Sequence, residues 1–520
     1  MSHPRVLALA LDACEKDIVL AMVERGELPN ISSLLERGAW APTQNPPGLF
    51  VGAVWPTLYT GLSPATHGRY CFRQIVPGTY LIHNTSVRTA VHGRPFWAQL
   101  SEAGKRIAVL DVPHSFVVEG LNGIQLVDWG AHDANPGFQT WPAALRDEMR
   151  TFGDHPVGVD CNGDRRTAAE FSLLRDHLLA GIELRTQIAE HFLEQEPWDF
   201  FLHVFSEAHC VGHQCWHLHD AEHLRHDPAI RAEMADPLPE VYTALDAAVG
   251  RLLRHAGPDT TCVILLSHGM GAHYGGNFLL DEILRRIDLA ALPFAGRVRA
   301  AARERARTAM PTSLRRLRRS RRLRQADELA SERNIESPRV RPLSIDPRTR
   351  RCFAVPNNDV YGALRLNLIG REPRGLVHPD EADAVCEAIT SELLALINNA
   401  TGEACVRRVL RTADHYHGES AADLPDLLIE WNWEHPIVAV SSRTIGVIAA
   451  DDPETRTGDH RPEGLVIAVG PGVTPGRLPG RIPSVDIAPT VAALCDVELH
   501  DVDGHPIPAI TGTVSTTTNR

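Results

Sequence analysis

Short apolar runs that stop at a polar residue recur along the chain. "RVLALAL" ends at Asp12, "KRIAVL" at Asp111, "DFFLHVF" at Ser206 and "TTCVILL" at Ser267. Near-continuous apolar runs suit strands buried on both faces of a parallel sheet, because half-exposed strands alternate. Segments such as "KDIVLAMVERG" and "NISSLLERG" instead carry helical periodicity and read as crossovers between strands. The pattern predicts an α/β fold with a doubly wound, mostly parallel sheet. In such sheets ligands bind beyond the carboxyl ends of the strands. That singles out Asp12, His209, His213 and His268, which follow these runs.

Two regions interrupt the alternation. Residues 70–180 hold loops rich in aromatic residues, Gly and Pro, which fit lid or insert segments, with Trp129, His132 and Asp133 as candidate lid contacts. Residues 295–350 contain "SLRRLRRSRRLRQ", a basic helical insert. Its arginines, Arg315 to Arg324, could meet phosphate or anionic lipid, or could be solvated and paired with acids such as Asp327 and Glu328. Otherwise 520 residues read as a single large α/β domain, 1–520.

Composition narrows the partners. A hydrophobic content of 43% with 22% charged residues is that of a folded globular chain. A net charge of -13 argues against wholesale nucleic-acid binding. No run reaches the roughly 20 apolar residues of a membrane span, and the first apolar run, bounded by Asp12, reads as a strand and not as a signal peptide. A cytoplasmic protein is expected, its ten cysteines reduced.

The stretch "FSEAHCVGHQCWHLH" from Phe205 to His219 holds four histidines. His209 and His213 lie four apart, on one helical face, where two imidazoles can share an ion. Taken alone, such a pair is more often two histidines satisfied by ordinary hydrogen bonds. Four further segments change this: "LALALDA", "VWPTLYTGLSPATHGRY", "VILLSHGMG" and "TGDHRPEGLVIAVGPGV". With "LPNISSLLERGA" and "SVDIAPTVAALCDV", they stand in an order and at spacings that resemble the type I phosphodiesterase and nucleotide pyrophosphatase branch of the alkaline phosphatase superfamily.

The resemblance implies an alkaline phosphatase-like fold and a two-zinc hydrolase with a Thr or Ser nucleophile at a helix N-terminus. Asp12, His213, His268 and His460 match the family's ligand types. Three positions depart from it. The nucleophile position falls at Val51, which has no hydroxyl; the Asp expected four residues before His213 is His209; and the Asp expected before His268 is Ser267. Thr43 and Thr57 are the nearest hydroxyls, but one precedes the Pro-Pro turn and the other lies inside the helix. His67 in "ATHG" matches a structural position and is not assigned to the metal.

Charge arithmetic gives these departures a meaning. Two divalent ions about 4 Å apart repel by roughly 17 kcal/mol at an effective dielectric of 20, so a two-ion site depends on carboxylates and an anionic nucleophile. This chain keeps one of them. One divalent ion is therefore expected, zinc first, with iron or manganese as alternatives, held by His209, His213 and His460. Its bound hydroxide would replace the missing side-chain nucleophile. Asp12 and His268 would act as catalytic acid or base, orienting groups or further ligands. Glu207 could be a ligand or a helix N-terminal acid, and Cys14 and Cys210 soft ligands or small buried residues.

On the substrate side, Arg365, Asn367 and Arg371 alternate with apolar residues and could contact an anionic group, or could form salt bridges on a surface strand. The expected reaction is hydrolysis of a small-molecule phosphate ester or phosphodiester. The rivals are other metal-dependent chemistry on the same fold, and a noncatalytic metal- or ligand-binding relative. The expected partner is an anionic small molecule, with no nucleic acid and no membrane span, and with self-association into a homo-oligomer left open.

Overall fold

The structure is a computed structural model describing residues 3–130, 137–158, 163–332, 340–343, 345–357 and 360–512. His132 and Asp133 lie outside the described residues. The chain divides into two compact units: residues 1–67, 91–273 and 455–520 form the larger, and residues 68–90 and 274–454 the smaller.

The larger unit is built on a sheet with five parallel strands at its centre, in the order Thr261–Leu266, Val6–Leu11, Phe200–Phe205, Ile107–Leu110, Gly123–Val127. Glu463–Val469 and Ala39–Gln44 continue it in antiparallel pairing on one side, and Gln139–Trp141 on the other. The apolar runs thus form the mostly parallel sheet that their burial pattern predicts. Gly123–Val127 and Gln139–Trp141 fall in the region expected to hold lids. They are sheet members, too short and too mixed with loop residues to show a period.

Register is what positions the site. Leu11 pairs with both Phe205 and Leu266, so the three strands end level. The Asp12 N–H donates to the Phe205 carbonyl at 2.8 Å, and the Ser267 N–H to the Leu11 carbonyl at 3.2 Å. Asp12, Ser206 and Ser267 therefore emerge side by side at the carboxyl edge.

The smaller unit has its own core. Its four-stranded antiparallel sheet, in the order Cys352–Val355, Tyr361–Leu366, Leu427–Trp431, Val406–Arg411, packs on helices Asn277–Ala291 and Ala382–Leu394 through Leu280, Ile283, Leu364, Ile389, Ile429 and Trp431. The basic segment in this unit forms two helices, Phe294–Thr308 and Thr312–Glu332. No helix among the described residues is long and apolar enough to cross a membrane.

Candidate metal centre

The strand Phe200–Phe205 runs directly into the helix Glu207–His219, which is buried along nearly its whole length. The four-residue spacing puts His209, His213 and His217 on one face. The strand Thr261–Leu266 passes through Ser267 and His268 into Gly269–Ala272, which pairs antiparallel with Gly458–Arg461 and sets Met270 opposite His460. In this way a segment distant in sequence is carried to the histidine helix.

Two glycines permit the approach. A Cβ on Gly458 would lie 2.1 Å from the Gly212 carbonyl, and one on Gly212 would lie 2.7 Å from the Met270 side chain. The contact is sealed by the Thr457 N–H donating to the His213 carbonyl at 2.9 Å, and by His213 Nδ1 against the Gly458 carbonyl at 2.7 Å.

His209, His213 and His460 converge: ligand atoms of the three lie within 4.8 Å of one another, all buried. His213 Nε2 is 3.1 Å from His460 Nε2. Since a carbonyl only accepts, His213 Nδ1 carries the proton and its Nε2 presents a lone pair toward the centre. Burial, reinforced by the positive charge of Arg456, holds the His213 pKa well below the ordinary imidazole range, so the ring is neutral. Three buried imidazoles meeting at one point, one held neutral and oriented by a backbone carbonyl, fit a single divalent ion with an open fourth position.

His268 stands beside this triad, its ring centroid 4.7 Å from that of His460. Its partner is Ser267, whose Oγ lies 2.9 Å from His268 Nδ1 and donates to Asp12 Oδ1 at 2.9 Å. The Ala13 N–H also donates to this Oγ at 3.1 Å, and the Trp55 indole N–H to Asp12 Oδ1 at 2.9 Å. With the hydroxyl proton committed to the carboxylate, His268 Nδ1 is the donor to Ser267, and its Nε2 is the basic nitrogen. Asp12 is 3.8 Å from His268 Nδ1 and orients it through Ser267.

Val51 is the second residue of the helix Phe50–Thr60 and half-buried. It lies one turn before Trp55, the residue that contacts Asp12, and so shares its face. The neighbouring Phe50 ring meets the His268 imidazole edge-on at 6.2 Å. Thr57 points elsewhere, its Oγ1 3.1 Å from His67 Nε2.

Other sequence candidates meet protein partners or lie buried. Glu207 Oε1 accepts from Arg185 Nε and contacts His155 Nε2, both at 2.8 Å, so this carboxylate faces a buried ion pair. Burial alone would raise its pKa, but the Arg185 guanidinium and His155 overcome this and lower it to about 2. Arg185 also bonds Asp111, whose carboxylate accepts from the Trp129 N–H; Trp129 thus belongs to this network. Cys14 is a buried thiol whose pKa burial pushes far up, and Cys210 is buried too.

The expected anion contacts are likewise engaged. Arg365 is buried, with Nε on Glu372 at 2.7 Å and a terminal nitrogen on the Ala422 and Leu424 carbonyls. Asn367 donates to the Pro347 and Arg350 carbonyls and accepts from the Tyr80 hydroxyl. Arg371 binds Asp426 and Glu372. All three make these contacts within the smaller unit.

Asp459 is the residue that sequence reasoning missed. Its Oδ1 accepts the His460 N–H at 2.8 Å, and its Oδ2 faces His273 Nδ1 at 3.5 Å. Burial raises its pKa, yet the hydrogen bond with His273 and the charges around it leave it lowered overall. The signal was present in "GDH", a carboxylate adjoining a ligand histidine.

The family model for type I phosphodiesterase / nucleotide pyrophosphatase matches residues 6–444. The matched stretch contains Asp12, His209, His213 and His268, while His460 falls beyond it. The chain is similar in structure to phosphonoacetate hydrolase from Sinorhizobium meliloti 1021 in complex with phosphonoformate, at 15% identity over 93% of this chain and 94% of that one, TM-score 0.48. It is also similar to an inactive form of murine ectonucleotide pyrophosphatase / phosphodiesterase 5 in complex with AMP, at 11% identity over 98% and 99%, TM-score 0.46. No curated protein matches the chain.

Proposed function

Because the chain belongs to the type I phosphodiesterase / nucleotide pyrophosphatase family of hydrolases, we propose that it hydrolyses a phosphate ester or phosphodiester of a small anionic molecule at the His209, His213 and His460 centre. One divalent ion would serve there, zinc first and iron or manganese after it, and no covalent phosphoenzyme would form. The observation that carries the reading is the convergence of three buried imidazoles at the carboxyl edge of the sheet, beside a helix whose second residue is the hydroxyl-free Val51. When bound, the ion supplies a Lewis acid and lowers the pKa of its water toward about 7.

The chain's own residues do the rest. His213 is kept neutral and aimed by Gly458. His268, its Nδ1–H fixed by Ser267, takes up a proton at Nε2 and returns it to the leaving group. Asp12 accepts from Ser267 and Trp55, which locks the tautomer of His268. Phe50 and Val51 exclude water and add no attacking group of their own.

The test is metal analysis of the purified protein, followed by turnover of aryl phosphates and phosphodiesters. About one ion per chain and hydrolysis abolished in His209→Ala and His213→Ala support the reading. Absence of bound metal, or turnover untouched by both variants, overturns it. The apolar start of the Phe50–Thr60 helix favours a second reading, metal-dependent chemistry other than phosphoester cleavage; one bound ion with no phosphate released across the panel would select it.

A further inference from the structure

Between Phe294 and Gln325 the chain carries twelve arginines and one acid, Glu304, a local net charge of +11 in a chain whose total is -13. The segment forms the helices Phe294–Thr308 and Thr312–Glu332 of the smaller unit. The second is anchored near its C-terminal end, where Ala326 is buried with Val76 and Leu81 and Leu329 packs against them. At about 100° per residue, Leu314, Leu317, Arg318, Arg321 and Arg324 fall in one arc, roughly opposite Ala326 and Ala330. Exposure agrees with this. Leu314 is 49% and Leu317 60% exposed, and the three arginines are exposed with them.

The first helix repeats the arrangement. Phe294, 75% exposed, and Val298, 53% exposed, lie four apart on one face, with exposed Arg305 in line and exposed Arg297 close by. A helix solvated by charge alone gains nothing from large apolar side chains on its outer face. Here they are interleaved with arginines on both helices.

We propose that the Phe294–Gln325 segment docks on the surface of an anionic phospholipid bilayer. The arginines meet lipid phosphates, and Phe294, Val298, Leu314 and Leu317 enter the boundary between headgroups and acyl chains. Arginine stems lie along the apolar surface while their guanidinium groups stay at headgroup level. The apolar residues decide between polyanions, because a nucleic acid would satisfy the arginines yet leave the exposed aliphatic side chains in water. The association is peripheral, in keeping with the lack of a membrane-crossing helix among the described residues.

The experiment is co-sedimentation of the full-length protein with phosphatidylcholine vesicles, with and without phosphatidylglycerol. Pelleting with the anionic vesicles alone is expected. Leu314→Asp with Leu317→Asp should weaken it by about tenfold or more, and Arg318→Gln, Arg321→Gln and Arg324→Gln together by about a hundredfold. Far-UV circular dichroism and metal content should be unchanged in both variants, which separates loss of docking from loss of folding. The proposal is overturned if the protein does not pellet, or if pelleting is indifferent to the leucine pair. It is also overturned if the same leucines instead govern concentration-dependent self-association, or if RNA binds more tightly than the vesicles.

Discussion

His213 donates its Nδ1 proton to the carbonyl of Gly458, 2.7 Å away, and this bond fixes which nitrogen faces the centre. The acceptor belongs to the segment that carries His460, so the same contact orients one candidate ligand and places another.

Gly458→Ala should dismantle the centre without touching a ligand. Its methyl would stand 2.1 Å from the Gly212 carbonyl, a backbone atom that cannot turn aside. The histidine helix and the Gly458–Arg461 strand must then separate, at a cost of about 1–3 kcal/mol. Loss of bound metal with a lowered denaturation midpoint is the expected result; a fully metallated, equally stable variant would contradict it.

Asp459→Asn should keep the fold and weaken the metal. The amide oxygen can still accept the His460 N–H, but the negative charge facing His273 is gone. Outer partners of this kind are worth about 10–100-fold in metal affinity. Competition with a chromophoric chelator measures the change, and an unaltered affinity would remove Asp459 from the centre.

Glu207→Gln should do the reverse. It breaks a fully buried pair with Arg185, which costs about 3–5 kcal/mol. Since Glu207 faces Arg185 and His155, metal stoichiometry in the folded fraction should be unchanged. Metal lost in proportion to the substitution, at unchanged stability, would make Glu207 a ligand after all.

Acid should destabilise the chelator-treated protein well before carboxylates titrate. Burial lowers the pKa of His203 to about 3 and of His217 and His223 to about 4. The unfolded chain protonates these rings near pH 6.5 while the folded chain does not, so between about 6.5 and 4 the unfolded state binds more protons and stability falls with pH. The loss from pH 7 to 5 is on the order of 1–2 kcal/mol per histidine. The lowered pKa of Glu207 gives stability that is present above about 4.5 and lost as pH falls toward 2. Denaturant midpoints at several pH values check the order, and stability that is flat down to about pH 4.5 would refute it.

Some of this architecture is legible in the sequence because the physics is local. Strands buried on both faces must be apolar throughout, so their ends and the polar residues beyond them can be read directly, and a four-residue repeat of histidines reports a helix face. His460 was reached through resemblance, since nothing near it in sequence names its partners. Arg365 shows the converse limit. An arginine among apolar residues looks the same whether it awaits an anion or is buried, and only the fold brings Glu372 and the carbonyls of Ala422 and Leu424 around it. The strands Gly123–Val127 and Gln139–Trp141 were hidden for a related reason: segments of three to five residues complete no period.

The Gly212 and Gly458 contact also bears on how the chain holds together. It joins stretches some 245 residues apart, so an ion bound by His213 and His460 would act as a clasp across the larger unit. Whatever free energy the ion gains on binding is added to the free energy of unfolding. Stripping it should therefore loosen the far end of the chain as well as silence the chemistry, and saturating the site should raise the melting temperature with ion concentration.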